Sequence, residues 1–353
     1  LFVAFFPQLL QGPISRYDEL NNQLYTPHKF DYQNVMFGFQ LMLWGYFKKL
    51  VIGVRLTTVV NTIMNNPSKY VGLYIVFATL LAWLELYIDF SAGIDIARGV
   101  AQTFGIKMPR NFSQPFFAQS VDEFWRRWHI SLNNWWRDYI FYPLTLSKKF
   151  NAMGKFFKKS LGQEMGKKMP VFFALIIVRI LNSLWHGGGS INLADGLYHG
   201  LLVGGAFIFE YDLKKISQKL RIDTERKSWK LFRMVRTYIL ISVPSIARCC
   251  NTMKDVANNI RFMFTRFNPW IFLDGSMYKI GIDMKEWHLV VLGLLIVLIV
   301  DYMNENGVPV RERISRQSLA VRWSIYYALI FGIIIFGAYG VGYNAQDFAY
   351  VNF

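Results

Sequence analysis

The stretch Tyr70-Val-Gly-Leu-Tyr-Ile-Val-Phe-Ala-Thr-Leu-Leu-Ala-Trp-Leu-Glu-Leu-Tyr-Ile-Asp-Phe90 decides the fold. It is long enough to cross a bilayer as a helix, which takes about 20 apolar residues. Yet it carries Glu85 and Asp89. A charged span survives only inside a helix bundle or beside a polar cavity, and a simple membrane anchor has no need of it. The stretch therefore predicts an all-α, polytopic membrane helix bundle.

Further runs of the same kind lie at Phe37–Val54, Val171–Gly189, Ala194–Phe209, Phe232–Ile246, Trp287–Met303 and Trp323–Gly340. Lys48 and Lys49 charge the first, and Arg179 charges the second. Composition agrees. Of 353 residues, 53% are hydrophobic and 18% charged, whereas soluble domains carry about a quarter charged residues. So apolar a chain is not disordered. Its two cysteines, Cys249 and Cys250, are adjacent, which argues against a disulfide scaffold or a zinc site. The net charge of +16 comes from Lys and Arg clustered between apolar runs, and no nucleic-acid-binding motif is present. Membrane lipid, not nucleic acid, is the expected surroundings.

Three basic loops test the orientation: Lys148 to Lys168, Lys214 to Arg236 and Arg311 to Arg322. Two predicted spans separate the first from the second, and two the second from the third. All three then share one side, which the positive-inside rule makes cytoplasmic. No linker or repeat divides the chain, so residues 1–353 read as one membrane domain. The chain opens at Leu1, already apolar and without a signal-peptide pattern. It reads as a piece whose N-terminal spans are missing.

Between Ser91 and Leu146 the sequence turns polar and aromatic, with Pro109, Pro115 and Pro143. Ser120-Val-Asp-Glu123 is a capping box, predicting a helix from Val121 to about Trp136. On one continuous helix Trp125, His129 and Asn133 share a face, and Glu123 can pair with Arg127. Asp89, Asp95 and Arg98 read as an internal ion-pair group before a proton path or a metal site.

Of the five histidines, His28 and His288 stand in loop-like contexts. His129 lies on the capped helix. His186 ends an apolar run in Leu184-Trp-His-Gly-Gly-Gly189, and His199 follows in Tyr198-His-Gly200. An imidazole at the end of a span is a functional candidate, and the glycines beside His186 leave room for a substrate or a neighbouring helix. HxxxxD, HExxH and GxSxG motifs are absent, and no metal-ligating set is expected.

These strings follow a known order. Phe5-Phe-Pro-Gln-Leu-Leu-Gln-Gly-Pro13, Asp89-Phe-Ser-Ala-Gly-Ile-Asp95, Asn111-Phe-Ser-Gln-Pro-Phe116, Glu123-Phe-Trp-Arg-Arg-Trp-His-Ile-Ser-Leu132, Trp136-Arg-Asp-Tyr139 and Leu184-Trp-His-Gly187 stand in sequence. Together they resemble the membrane-bound O-acyltransferase (MBOAT) family, in its bacterial alginate O-acetyltransferase-like branch. The strings are shared with the D-alanyl transfer protein of teichoic acid modification. The resemblance implies the MBOAT bundle, with interfacial and re-entrant helices, in a bacterial cell membrane. It implies transfer of an acyl group, acetyl before D-alanyl, from a thioester donor to hydroxyls of an exported or cell-wall polysaccharide or of teichoic acid. The donor, acetyl-CoA or an acyl carrier, is a substrate, and no bound cofactor is implied. An acyl carrier protein and an extracytoplasmic acyltransferase are the implied partners. His186 carries over as the catalytic base and His129 as the second functional histidine. Trp125, Asn133, Asn182 and Trp185 are the expected substrate-binding residues; Asn182 or Trp185 would face the oxyanion. The competing reading is a transporter, whose paired broken helices the sequence does not show.

Overall fold

A computed structural model describes residues 1–247 and 250–339. Ten of its helices matter here: α1 (Tyr32–Met64), α2 (Leu73–Thr103), α3 (Val121–Arg127), α4 (Ile130–Trp136), α5 (Lys148–Leu161), α6 (Gln163–Trp185), α7 (Ser190–Ile208), α8 (Lys227–Ser242), α9 (Met284–Glu305) and α10 (Leu319–Phe336). The described residues contain no strand. Six of these helices, α1, α2, α6, α7, α9 and α10, are long and apolar enough to cross a membrane. The protein is a multi-pass membrane protein of all-helical architecture.

Contacts divide the described chain into two compact units, 1–114 with 257–339, and 115–256. Neither boundary is marked by a change in composition, which is why the sequence reads as one domain.

In the first unit α1 lies along α2. Small residues let the backbones meet: a Cβ on Gly45 would stand 2.7 Å from the Ala92 carbonyl oxygen. Inside a bilayer, helices are held by such packing and by polar pairing, because lipid is as apolar as the side chains it would replace. The charges within these spans pair as the sequence predicted. Lys49 meets Asp89, Lys48 donates to Asp95 at 2.8 Å and to Ser91 at 2.7 Å, and Arg98 lies 3.5 Å from Asp95. Both lysines can turn inward because Phe47–Gly53 is a π-helical segment, which slips the side-chain register inside α1. Leu50, within that segment, accepts a hydrogen bond from the Ala338 N–H at 2.9 Å.

The second unit holds α3 to α8. The expected loop at 148–168 is helical: α5 runs through it, and α6 starts at Gln163 and continues past Pro170. α5 alternates lysines with Phe150, Phe156 and Phe157, which suits a helix lying in a membrane interface. The expected span 232–246 is not among the candidate spans. It forms the 16-residue α8, which carries Lys227, Lys230, Arg233 and Arg236 and passes into a 3-10 turn. One candidate span instead of two therefore separates the second basic loop from the third, and the parity argument holds only for the first two. Cys250 is half-buried, and its Sγ donates to the Ile246 carbonyl at 3.5 Å; Cys249 and Gly340 lie outside the described residues.

Candidate active site

The Ser120 cap forms at the start of α3, while Glu123 reaches one residue further back than a capping box requires. Ser120 Oγ accepts from the Glu123 N–H at 3.1 Å, and the Glu123 carboxylate accepts from the Gln119 N–H at 2.8 Å. Glu123 and Arg127 pair at 2.7 Å, as the spacing predicted. The helix then breaks, contrary to expectation. α3 stops at Arg127, and α4 begins at Ile130. Between them His129 sits in the left-handed region, with φ 43° and ψ 55°. Trp125, His129 and Asn133 are therefore not stacked along one helical face.

Asn133 holds the break. Its Nδ2 donates to the Trp128 carbonyl at 2.6 Å and to the His129 carbonyl at 3.2 Å. Its Oδ1 accepts from Arg179 Nη1, on α6, at 3.1 Å. The Arg179 guanidinium lies 4.2 Å from the centre of the Trp125 ring, a cation–π contact. Trp125 in turn packs edge-on against His199 at 5.1 Å. Sequence reasoning named Trp125 and Asn133 as substrate contacts. In the structure Trp125 packs against Arg179 and His199, and Asn133 holds the carbonyls of Trp128 and His129.

α6 and α7 form a close hairpin. A Cβ on Gly196 would stand 2.6 Å from Ile180 Cα, and one on Gly200 would stand 2.9 Å from Ile176 Cα. The approach lets Ser183 Oγ donate to Asp195 at 2.7 Å, and Asp195 stands 3.5 Å from His199 Nε2 one turn along. These four groups, Arg179, Ser183, Asp195 and His199, were not chosen from the sequence. A charged residue inside an apolar run and an Asp–His pair at i,i+4 were the available signals.

His186 follows the last turn of α6. Its ring is half-buried and packs edge-on to the half-exposed Trp185 at 4.7 Å. The next residues peel away from the helix: Gly187 has φ 156° and Gly189 φ 119°, and a Cβ on Gly188 or Gly189 would meet nothing within 4 Å. Part of the His186 residue is thus exposed, beside a glycine stretch with room around it. Asn192 Nδ2 pins the loop by donating to the Gly187 carbonyl at 2.6 Å. Asn182, one turn before His186, is half-buried, and its side chain makes none of the described hydrogen bonds. His28 and His288 are exposed and belong to the first unit.

Both central imidazoles are held neutral. Burial, with the nearby His186 ring adding to it, pushes His129 down to about 3. Burial alone pushes His186 down to about 4. A neutral, partly exposed imidazole can accept a proton; a second one close by, on a fixed backbone, can donate or hold. The described residues include no cluster of His, Cys, Asp and Glu suited to a metal ion.

A family model described as MBOAT, membrane-bound O-acyltransferase family, matches residues 1–252. Among curated proteins, the probable alginate O-acetylase AlgI of Pseudomonas syringae is 30% identical over 255 residues, covering 69% of this chain and 41% of that protein. The peptidoglycan O-acetyltransferase of Helicobacter pylori is 32% identical over 203 residues, covering 57% of this chain and 35% of its own length. The teichoic acid D-alanyltransferase of Bacillus subtilis is 31% identical over 224 residues, covering 61% and 52%. The chain thus spans about half the length, or less, of these curated relatives.

Proposed function

The chain belongs to the membrane-bound O-acyltransferase family, in the branch of the alginate O-acetylases, and on that premise we propose that it transfers an acetyl group to hydroxyls of an exported or cell-wall polysaccharide in a bacterial cell membrane. The observation that carries this reading is a half-buried His186 near enough to His129 to act on its charge, with the His129 corner clamped by Asn133.

His186 is the general base. It removes the proton of the acceptor hydroxyl as that oxygen attacks the thioester carbonyl. The carbonyl becomes a tetrahedral oxyanion, which needs donors in place before it forms. Asn182, whose amide is uncommitted, and the Trp185 indole are the groups one turn or one residue from the base. The intermediate collapses, the carbon–sulfur bond breaks, and the thiolate takes the proton from His186. His129 holds the acceptor or polarises the carbonyl. Acetyl-CoA or an acyl carrier protein supplies the donor thioester, and an extracytoplasmic acyltransferase completes delivery.

Mild base releases ester-linked groups from the surface of cells carrying the protein or its His186→Ala variant, and mass identifies them. Acetate that disappears in the variant supports the reading. D-alanine that disappears moves the acceptor to teichoic acid, the activity named for the Bacillus subtilis relative. Equal release from both, with the variant present in membranes at parent level, refutes the base assignment.

A further inference from the structure

The first unit contains a cavity of about 750 Å³ none of whose lining residues the transferase reading has assigned a role. Six cations line it: Lys48, Arg98, Lys107, Arg110, Arg311 and Arg316. The four acids on its wall do not balance them. Asp95 is taken by Lys48 and Arg98. Asp301 accepts the Tyr87 hydroxyl at 2.7 Å. Asp31 caps α1, accepting from the Gln33 N–H at 2.8 Å and the Asn34 amide at 2.9 Å. Glu312 is exposed.

Arg311 is held in place without an ion pair. One of its terminal nitrogens donates to the Phe37 carbonyl at 2.6 Å and to Gln102 Oε1 at 2.8 Å, and its guanidinium lies 5.2 Å from the Phe37 ring centre. The Nε atoms of Arg311 and Arg98 are buried and donate to nothing. The side chain of Arg110 makes none of the described hydrogen bonds or ion pairs. These three guanidiniums lie close enough to act on one another: burial, then the Arg98 charge, with Arg110 adding to it, pushes Arg311 down to about 10. Clustered like charges, two of them with unused buried Nε donors, are costly unless an acceptor-rich anion joins them. A phosphate group, with its charge and its several acceptor oxygens, matches what guanidinium forks bind best.

We propose that this cavity is a phosphoryl-binding site, with Arg98, Arg110 and Arg311 converging on one phosphate group. The proposal does not depend on the chemistry at His186. Two sources share the chemistry: the headgroup of an acidic phospholipid, and a soluble phosphate ester such as an acyl-carrying nucleotide.

The test uses the whole protein, purified in neutral detergent. Two probes are titrated, coenzyme A and short-chain phosphatidylglycerol, with binding read by calorimetry and by the shift in thermal unfolding. Parent protein is compared with Arg110→Gln, Arg311→Lys and His186→Ala. Arg110 is exposed and makes none of the hydrogen bonds or ion pairs seen among the described residues, so its variant folds as the parent does. We expect saturable binding of one probe, about ten-fold weaker in Arg110→Gln, as loss of one charge-assisted contact predicts. Arg311→Lys keeps the charge but loses the fork, and weakens binding too. Coenzyme A as the responding probe makes the site a soluble-ester site; phosphatidylglycerol makes it a lipid site. The proposal falls if neither probe saturates, or if both arginine variants bind as the parent does. His186→Ala leaves this binding unchanged, so loss of transfer in that variant bears only on the catalytic reading.

Discussion

His129 is an imidazole and a backbone corner at once, and the two roles can be separated. A left-handed conformation costs an ordinary L-residue roughly 1–2 kcal/mol, while Asn adopts it more readily. His129→Asn is therefore expected to unfold at nearly the parent temperature, with His129→Ala about 1 kcal/mol less stable, and both to have lost transfer; thermal melts beside the ester assay check this. Asn133→Ala strips the corner of its clamp and leaves the Arg179 N–H without its acceptor. A buried unsatisfied group costs about 1–3 kcal/mol, so the variant should melt early and transfer slowly with His186 untouched. The pH profile follows from the base. His186 loses activity when protonated, so the rate falls as pH falls. Because burial holds it near 4, the acid limb of kcat/KM should lie well below the 6.5 of a free imidazole. A limb at 6.5 or above would show that burial does not depress His186, and no acid limb at all in this range or below would remove it as the base. The stability sign runs the same way. His129 is depressed to about 3, so its contribution is complete above 6.5 and is lost as pH falls from there towards 3.

At the scale of elements, the start of α3 was legible and its end was not. Ser120, Glu123 and Arg127 announce a helix through local hydrogen bonding, which sequence spacing encodes directly. The break at Trp128 and His129 has no Gly or Pro. It depends on Asn133 and on Arg179 arriving from α6, and a contact across 46 residues leaves no local mark. Similarly, His186 and His129 were readable as motif residues, while Arg179, Ser183, Asp195 and His199 matter only once α6 and α7 lie together. That hairpin makes its own prediction. Gly196→Leu cannot fit against Ile180 without parting the helices, and overpacking of this kind costs typically about 1–3 kcal/mol. Gly188→Ala meets open space and should melt like the parent. Unfolding followed in detergent for both variants tests the contrast; equal melting would mean the two helices are not in contact.

For the whole molecule, apolar runs and basic loops were enough to establish a polytopic membrane protein, because those signals are summed over many residues. The apolar runs number seven, one more than the six described helices long and apolar enough to cross. The run at 232–246 is apolar in sequence, but its helix begins five residues earlier with charged turns, and Arg236 is used to donate to the Gln119 carbonyl at 2.9 Å. Two candidate spans, α6 and α7, still separate Lys155 from Lys219. Single cysteines at 155 and 219, in a background without Cys249 and Cys250, should react with a membrane-impermeant maleimide from the same side. Labelling from opposite sides would overturn the assignment of α6 or α7 as a span. The π segment in α1 has a consequence of another sort. A helix advances about 100° with each residue, so Phe47–Gly53 works as a phase slip, and its length counts for more than its composition. Deleting Ile52 would leave a more regular helix by every local measure. It would also rotate one half of α1 against the other, so that Lys48 and Lys49 no longer face α2 while the residues beyond Gly53 keep their seats. Tolerance to a one-residue indel is usually judged by whether the site lies in a loop. Here the regularised helix would be the damaged one.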